Sequence, residues 1–163
     1  MFKIDALDLH WIDNSLDCPG DLCLHARIVA QIGTEVFEDD LTASAAALYL
    51  LRTLTEERII HTANPILPCC GHFMLANDTL DAVEIIGCPN GIDWSVEHDS
   101  GIIKITTEAG VLTFIDAVEY KTEVYRFADK IEDFYKNCSP KTPDEHSEKG
   151  YLAFWHEWHR RRQ

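Results

Sequence analysis

The residues best suited to chemistry in this chain are thiols and imidazoles set close together. Cys69 and Cys70 are adjacent, His72 follows after Gly71, and Cys88 comes later; a second grouping, Cys18, Cys23 and His25, lies nearer the N-terminus. Thiolate sulfur and imidazole nitrogen are favoured ligands of tetrahedral Zn²⁺, so both groupings are candidate metal sites. Neither has the two-residue Cys-to-Cys spacing of a zinc knuckle, and adjacent cysteines direct their side chains apart unless the backbone bends. The expectation is that Cys69, Cys70, His72 and Cys88 hold no metal, that no cofactor is needed, and that these thiols are packed, as free cysteines commonly are.

The same residues admit a second chemistry. Cys70 with His72 has the makings of a thiolate–imidazolium nucleophile, and Gly71 would expose a neighbouring amide to an oxyanion. No family-specific motif accompanies them, so a structural role is the expectation here too. Carboxylate pairs such as Asp39 with Asp40, or Asp93 with Glu97, do acid–base work only inside a pocket that shifts a pKa. They read as solvated faces. His156 and His159 stand three apart on a helical pattern and could share a metal, but beside Trp155, Trp158 and Arg160, Arg161 and Arg162 they read as a packing edge. The glycines form neither GxGxxG nor GxxxxGK, which removes the two commonest nucleotide-binding fingerprints.

Charge narrows the partners. The net charge is −14, and residues 1–99 hold 4 Lys/Arg against 17 Asp/Glu while residues 100–163 hold 10 against 11. The first part therefore carries −13 and the second −1. Such a field repels phosphate backbones, which argues against nucleic acid, and it steers a basic protein inward. No apolar run is long enough to span a bilayer, and the start of the chain lacks the pattern of a signal peptide, so a cytoplasmic protein without a membrane segment is expected. In that compartment the six cysteines are expected to be reduced.

The elements that must position these residues follow from periodicity. A length of 163 residues fits a single domain, residues 1–163, with one core. Phe2 to Trp11 alternates as a half-buried strand, with Leu7, Leu9 and Trp11 expected on one face and Asp8 and His10 on the other. Leu22 to Ile32 alternates again, with Leu24, Ala26, Ile28 and Ala30 facing one way. Gly33-Thr34 is the expected tip of a hairpin returning through Val36 and Phe37 before the acidic run Glu38, Asp39 and Asp40. The Ala/Leu-rich segment 43–54 reads as a central core helix, apolar almost all round, with Asp40 or Thr42 as N-cap.

Four short β-branched runs at 82–87, 92–98, 102–107 and 111–115, joined by Gly-containing turns, read as an antiparallel meander. Tyr120, Val124, Phe127, Ile131 and Phe134 lie at helical spacing, and prolines at 140 and 143 stop that helix. A last helix from about Asp144 carries Tyr151, Phe154, Trp155 and Trp158 on one stripe.

The fold class expected is α+β: an N-terminal β-hairpin and a C-terminal antiparallel meander packed on a central Ala/Leu-rich helix, followed by two C-terminal helices. The function expected is a non-enzymatic protein-binding module, for example an immunity-type protein engaging a basic partner. Glu38, Asp39, Asp40, Trp155 and Trp158 are its candidate contact residues. Two alternatives are a Cys/His-based metal-binding protein or thiol enzyme, and a subunit that buries Trp155 and Trp158 in a homodimer.

Overall fold

Helix α1 (Ala43–Arg52) follows directly from its composition, since every residue from Ala43 to Leu51 is buried. Alanine and leucine are strong helix formers, and a helix without a polar face must be covered on all sides. In the computed structural model, which describes residues 1–71 and 73–163, the cover comes from both layers of the fold.

One side is a three-stranded antiparallel sheet of β1 (Phe2–His10), β2 (His25–Ile32) and β3 (Glu35–Thr42), with β2 central. Its inner face is Phe2, Ile4, Ala6, Leu24, Ala26, Ile28, Ala30 and Ile32, all essentially inaccessible. β2 thus alternates as expected. β1 does not keep one alternation throughout, because a bulge between Leu7 and His10 places Asp8 at φ 52° and shifts the register. The buried face is therefore Phe2, Ile4 and Ala6 before the bulge and Trp11 after it, while Leu7 is only partly buried. A bulge inserts one residue and reverses the facing of everything beyond it.

After α1 the chain makes two small ladders. β4 (Leu67–Pro68) pairs with β7 (Gly91–Ile92), and β5 (Phe73–Ala76) pairs with β6 (Val83–Ile86). β8 (Trp94–Asp99), β9 (Ile102–Thr107) and β10 (Leu112–Asp116) form a second three-stranded meander. The meander thus has three strands where four are expected, because the 83–86 run finds its partner in the strand before it. Helix α2 (Ala117–Asn137) is capped by the Asp116 carboxylate, which accepts from the backbone of Val118 and Glu119. Its stripe, Tyr120, Val124, Phe127 and Ile131, packs against α1 and β1, with Tyr135 deeper than Phe134. Helix α3 (Glu148–Arg160) lies on β5 and β6. It begins later than Asp144, whose carboxylate instead caps the preceding turn at His146 and Ser147. Among the described residues no helix is long and apolar enough to cross a membrane.

Specific polar contacts pin α1 at both ends. The Leu24 amide donates to Ser44 Oγ at 3.1 Å, and Thr53 Oγ1 meets Tyr120 Oη at 2.8 Å. Thr42 is the N-cap, but its side chain makes no capping bond. At the C-terminal end Arg52 donates twice to Glu157 of α3, at 2.8 and 2.9 Å, and once to the Val83 carbonyl. Glu157 is 1% exposed. It also accepts from Arg161 at 2.7 Å and from the Val83 amide at 2.9 Å, so one carboxylate joins α1, α3 and β6.

Two outcomes test this architecture. Leu50→Asp forces an unpaired carboxylate into the core at a cost of several kcal/mol and should leave no soluble folded protein; a variant that melts normally would remove α1 from the centre. Burial alone raises the Glu157 carboxyl, but the Arg52 bond and charge, with Val83 and Arg161, hold it below the ordinary 4.5. A depressed folded pKa means stability that is present above about 4.5 and lost as pH falls through the folded value. Glu157→Gln should therefore cost about 3 kcal/mol near neutrality, and its deficit against wild type should shrink as pH drops below 4.5. A deficit in melting temperature that stays constant down that range would contradict the ion-pair assignment.

Candidate functional site

Two loops built around glycine meet beside α1. The β4–β7 pairing runs Leu67 against Ile92 and Pro68 against Gly91, and the Cys69 amide continues it by donating to the Asn90 carbonyl at 2.9 Å. A Cβ at Gly87 would stand 2.0 Å from the Cys70 carbonyl oxygen, and one at Gly91, where φ is +151°, would stand 2.2 Å from that of Leu67. Only glycine lets the backbones approach this closely.

That approach brings three sulfurs together. Cys69, Cys70 and Cys88 place their Sγ atoms within 4.8 Å of one another, each side chain partly buried. The Cys88 amide donates to Cys70 Sγ at 3.3 Å. Cys69 and Cys88 are joined as a disulfide, with Cα atoms 7.0 Å apart. The expectation that all six cysteines are free thiols is corrected here, because the β4–β7 ladder carries the two loops face to face. His72, the remaining member of the sequence grouping, lies outside the described residues.

The N-terminal grouping does not assemble in the same way. Cys23 is buried against the core, its thiol pushed up to about 12 by burial, by the charge of Asp21 and by that of Cys70. Cys18 is partly buried, and Cys138 directs its sulfur to the Leu16 carbonyl. His156 and His159 also part company, since His156 Nδ1 meets the Leu80 carbonyl at 2.8 Å while His159 Nε2 faces Glu132 at 3.6 Å.

Of the acidic candidates, Glu38 and Asp40 lie on the outer side of the N-terminal sheet with Arg27, whereas Asp39, the register partner of the buried Ile28, lies on the other side of the edge strand. Glu38, Asp39 and Asp40 are exposed on β3, an edge strand, and Asp8 joins them across the sheet. Arg27 spans Asp8 and Glu38 at 3.0 and 2.8 Å, and Asp40 faces His10 at 3.4 Å. Asp39 is free to point to solvent apart from a bond to the next amide. Of the aromatic candidates, Trp158 is fully buried, with its Nε1 donating to Glu132 at 3.0 Å, and so closes the core instead of meeting a partner. Trp155 is half-buried among Tyr135, Tyr151 and Phe154.

Asp93 differs most from its sequence reading as a solvated carboxylate. It is buried, and it accepts from Arg58 at 2.6 and 3.1 Å and from the amides of His61 and Ile66. It therefore anchors the loop before β4 instead of pairing with Glu97, which faces Lys104 at 3.0 Å. Next to that loop opens a cleft of about 700 Å³ lined by Tyr49, Arg52, Arg58, Asn64 and Ile85. Both of its arginines are already committed, Arg52 to Glu157 and Arg58 to Asp93. No signal in the sequence pairs Arg58 with Asp93, but the glycines that flank the cysteines are a legible sign of close backbone approach.

Gly87→Ala tests the loop contact. The added methyl must push Cys70 away, at a cost of about 1–3 kcal/mol, so the melting temperature should fall and alkylation of Cys70 should accelerate while the helical signal is kept. If neither the melt nor the thiol reactivity moves, the loops are not packed in this way. Comparison with protein families, with curated proteins and with solved structures finds no match to this chain, so its chemistry is argued from these residues alone.

Proposed function

We propose that this protein is a non-enzymatic, cytoplasmic protein-binding module of the immunity type, and that it meets a basic partner through the outer face of β1, β2 and β3. The observation that carries this reading is the placement of Glu38 and Asp40 on that face of an edge strand, with Asp39 exposed between them on the strand's other side, Asp8 beside them and Arg27 as the cation set among them. A carboxylate field only partly offset by one arginine, on a regular sheet, is a rigid electrostatic target, and it raises association rates with a basic surface. Charge on an edge strand also discourages indiscriminate strand pairing, so selectivity and solubility are served together.

The distribution of cations supports the same face. Arg160, Arg161 and Arg162 are drawn into contacts with Asp81, Glu157, Glu56, Glu132 and Asp129 at the other end of the fold. They do little to neutralise the N-terminal sheet. A homodimer resting on Trp155 and Trp158 is not carried forward, because Trp158 has no surface to give.

Replacing Glu38, Asp39 and Asp40 together by Gln, Asn and Asn tests the proposal. Exposed ion pairs contribute little to folding, so the melting temperature should move by no more than about 2 °C. Protein captured from a lysate by immobilised wild type at low salt should be basic, should be lost from the triple variant, and should protect the amides of residues 27–40 from exchange. A captured partner that binds the triple variant as fast as wild type, or that protects a different surface, would rule this face out.

A further inference from the structure

We propose that in the reduced protein Cys69, Cys70 and Cys88 together bind one Zn²⁺, which clamps the 69–71 loop to the 87–91 loop, and that the Cys69–Cys88 disulfide is the oxidised form of the same site, reached when a small-molecule disulfide takes up the two electrons of the Cys69 and Cys88 thiolates, leaves as two thiolates, and the Zn²⁺ is released. Three observations carry the proposal. First, three sulfurs from two loops lie within 4.8 Å of one another. A regular tetrahedron with Zn–S bonds of about 2.3 Å has sulfurs about 3.8 Å apart, so the cluster needs only small side-chain rotations to take the ion. A disulfide uses two sulfurs and gives no reason for the third to be there.

Second, the Cα atoms of Cys69 and Cys88 are 7.0 Å apart. Disulfides span about 4.4–6.8 Å, whereas ligands on either side of a metal are held further apart by two metal–sulfur bonds. The backbone is thus set at a spacing that suits an inserted ion. Third, the Cys88 amide is aimed at Cys70 Sγ at 3.3 Å. That contact holds the third sulfur, which the disulfide does not use, against the 87–91 loop. Gly87 and Gly91 make the arrangement possible by letting both backbones close around the sulfurs.

The donor set selects the class of ion. Thiolates are soft ligands that suit Zn²⁺ and discriminate against Mg²⁺ and Ca²⁺, which take oxygen. Cys23 is not a further ligand, because its side chain is buried in the core and lies outside the three-sulfur cluster. The region also has a use for a clamp: between α1 and β8 the regular structure consists of β4, β5, β6 and β7, none longer than four residues. Short ladders of this kind are where small proteins rely on metal or covalent staples.

The full-length chain, reduced with a phosphine and stripped of metal under argon, provides the test when titrated with Co²⁺ and then Zn²⁺. The expected result is one Co²⁺ per chain with intense thiolate-to-metal absorption, displaced by one Zn²⁺, and a melting temperature that rises with free zinc and falls when chelator is added. Cys70→Ser and Cys88→Ser should each weaken binding by more than the roughly 10–100-fold that loss of an outer-shell partner costs, while Cys138→Ser should leave it unchanged. Should a serine variant fail to fold, alkylation of the wild type decides: zinc should shield Cys69, Cys70 and Cys88 and leave the rates at Cys18 and Cys138 as they were. Absence of stoichiometric Co²⁺ binding by the reduced chain, binding that survives Cys70→Ser, or equal alkylation with and without zinc would each overturn the proposal.

Discussion

The burial of α1 on all sides is the constraint from which the other elements take their places. A helix whose residues from Ala43 to Leu51 all avoid water cannot sit on the surface of a sheet, as most helices in α+β folds do. It needs a sheet on one side and a helix on another, and β2, β3 and α2 meet that need. Its last turn then poses a separate problem, because Arg52 emerges half-buried at the edge of the core. The solution is Glu157, brought in on α3 and supported by Val83 and Arg161. The pair is a locating device more than a source of stability, since desolvating both groups offsets most of their attraction. It specifies where α3 docks, and with α3 the aromatic side chains of Phe154 and Trp158.

The parts of this architecture that were legible from sequence are those fixed by local period. The alternation of Leu24, Ala26, Ile28 and Ala30, the helical run from Ala43 and the stripe from Tyr120 to Ile131 all appear as read, because each depends only on neighbours in the chain. What failed depended on single residues or on distant ones. The bulge at Asp8 inverts the facing of Trp11 relative to Leu7, and period alone gives no warning of it. The 83–86 strand looked like the first of a meander but pairs backward with Phe73–Ala76, a choice set by the Asn77–Ala82 turn. Asp93 occupies a position that alternation assigns to solvent, and the arrival of Arg58, with the amides of His61 and Ile66, makes its burial tolerable.

The thiols illustrate the same division. Their residue types were visible, but convergence was not, because it requires the β4–β7 ladder, which is two residues long on each side. No periodic signal exists at that length. The glycines at 71, 87 and 91 were the available clue, and two of them, Gly87 and Gly91, mark the positions where one backbone presses on another. The N-terminal grouping had a comparable spacing without such close-packed glycines, and there the sulfur of Cys23 went into the core.

Electrostatics and packing thus divide the molecule into ends with different tasks. Cations are concentrated where carboxylates have been buried: Arg52 and Arg161 on Glu157, Arg58 on Asp93, Arg162 on Glu132. Because so few cations occur before residue 100, those spent on internal pairs cannot also neutralise the outer sheet. Of the four, Arg52 and Arg58 are committed inside, which leaves Lys3 and Arg27 against Asp8, Glu38, Asp39 and Asp40. The acidic face therefore follows from the demands of the core as well as from composition. Making that face neutral through evolution would take new basic residues, because releasing Arg58 leaves the buried Asp93 without a cation and releasing Arg52 removes one of the two that Glu157 holds.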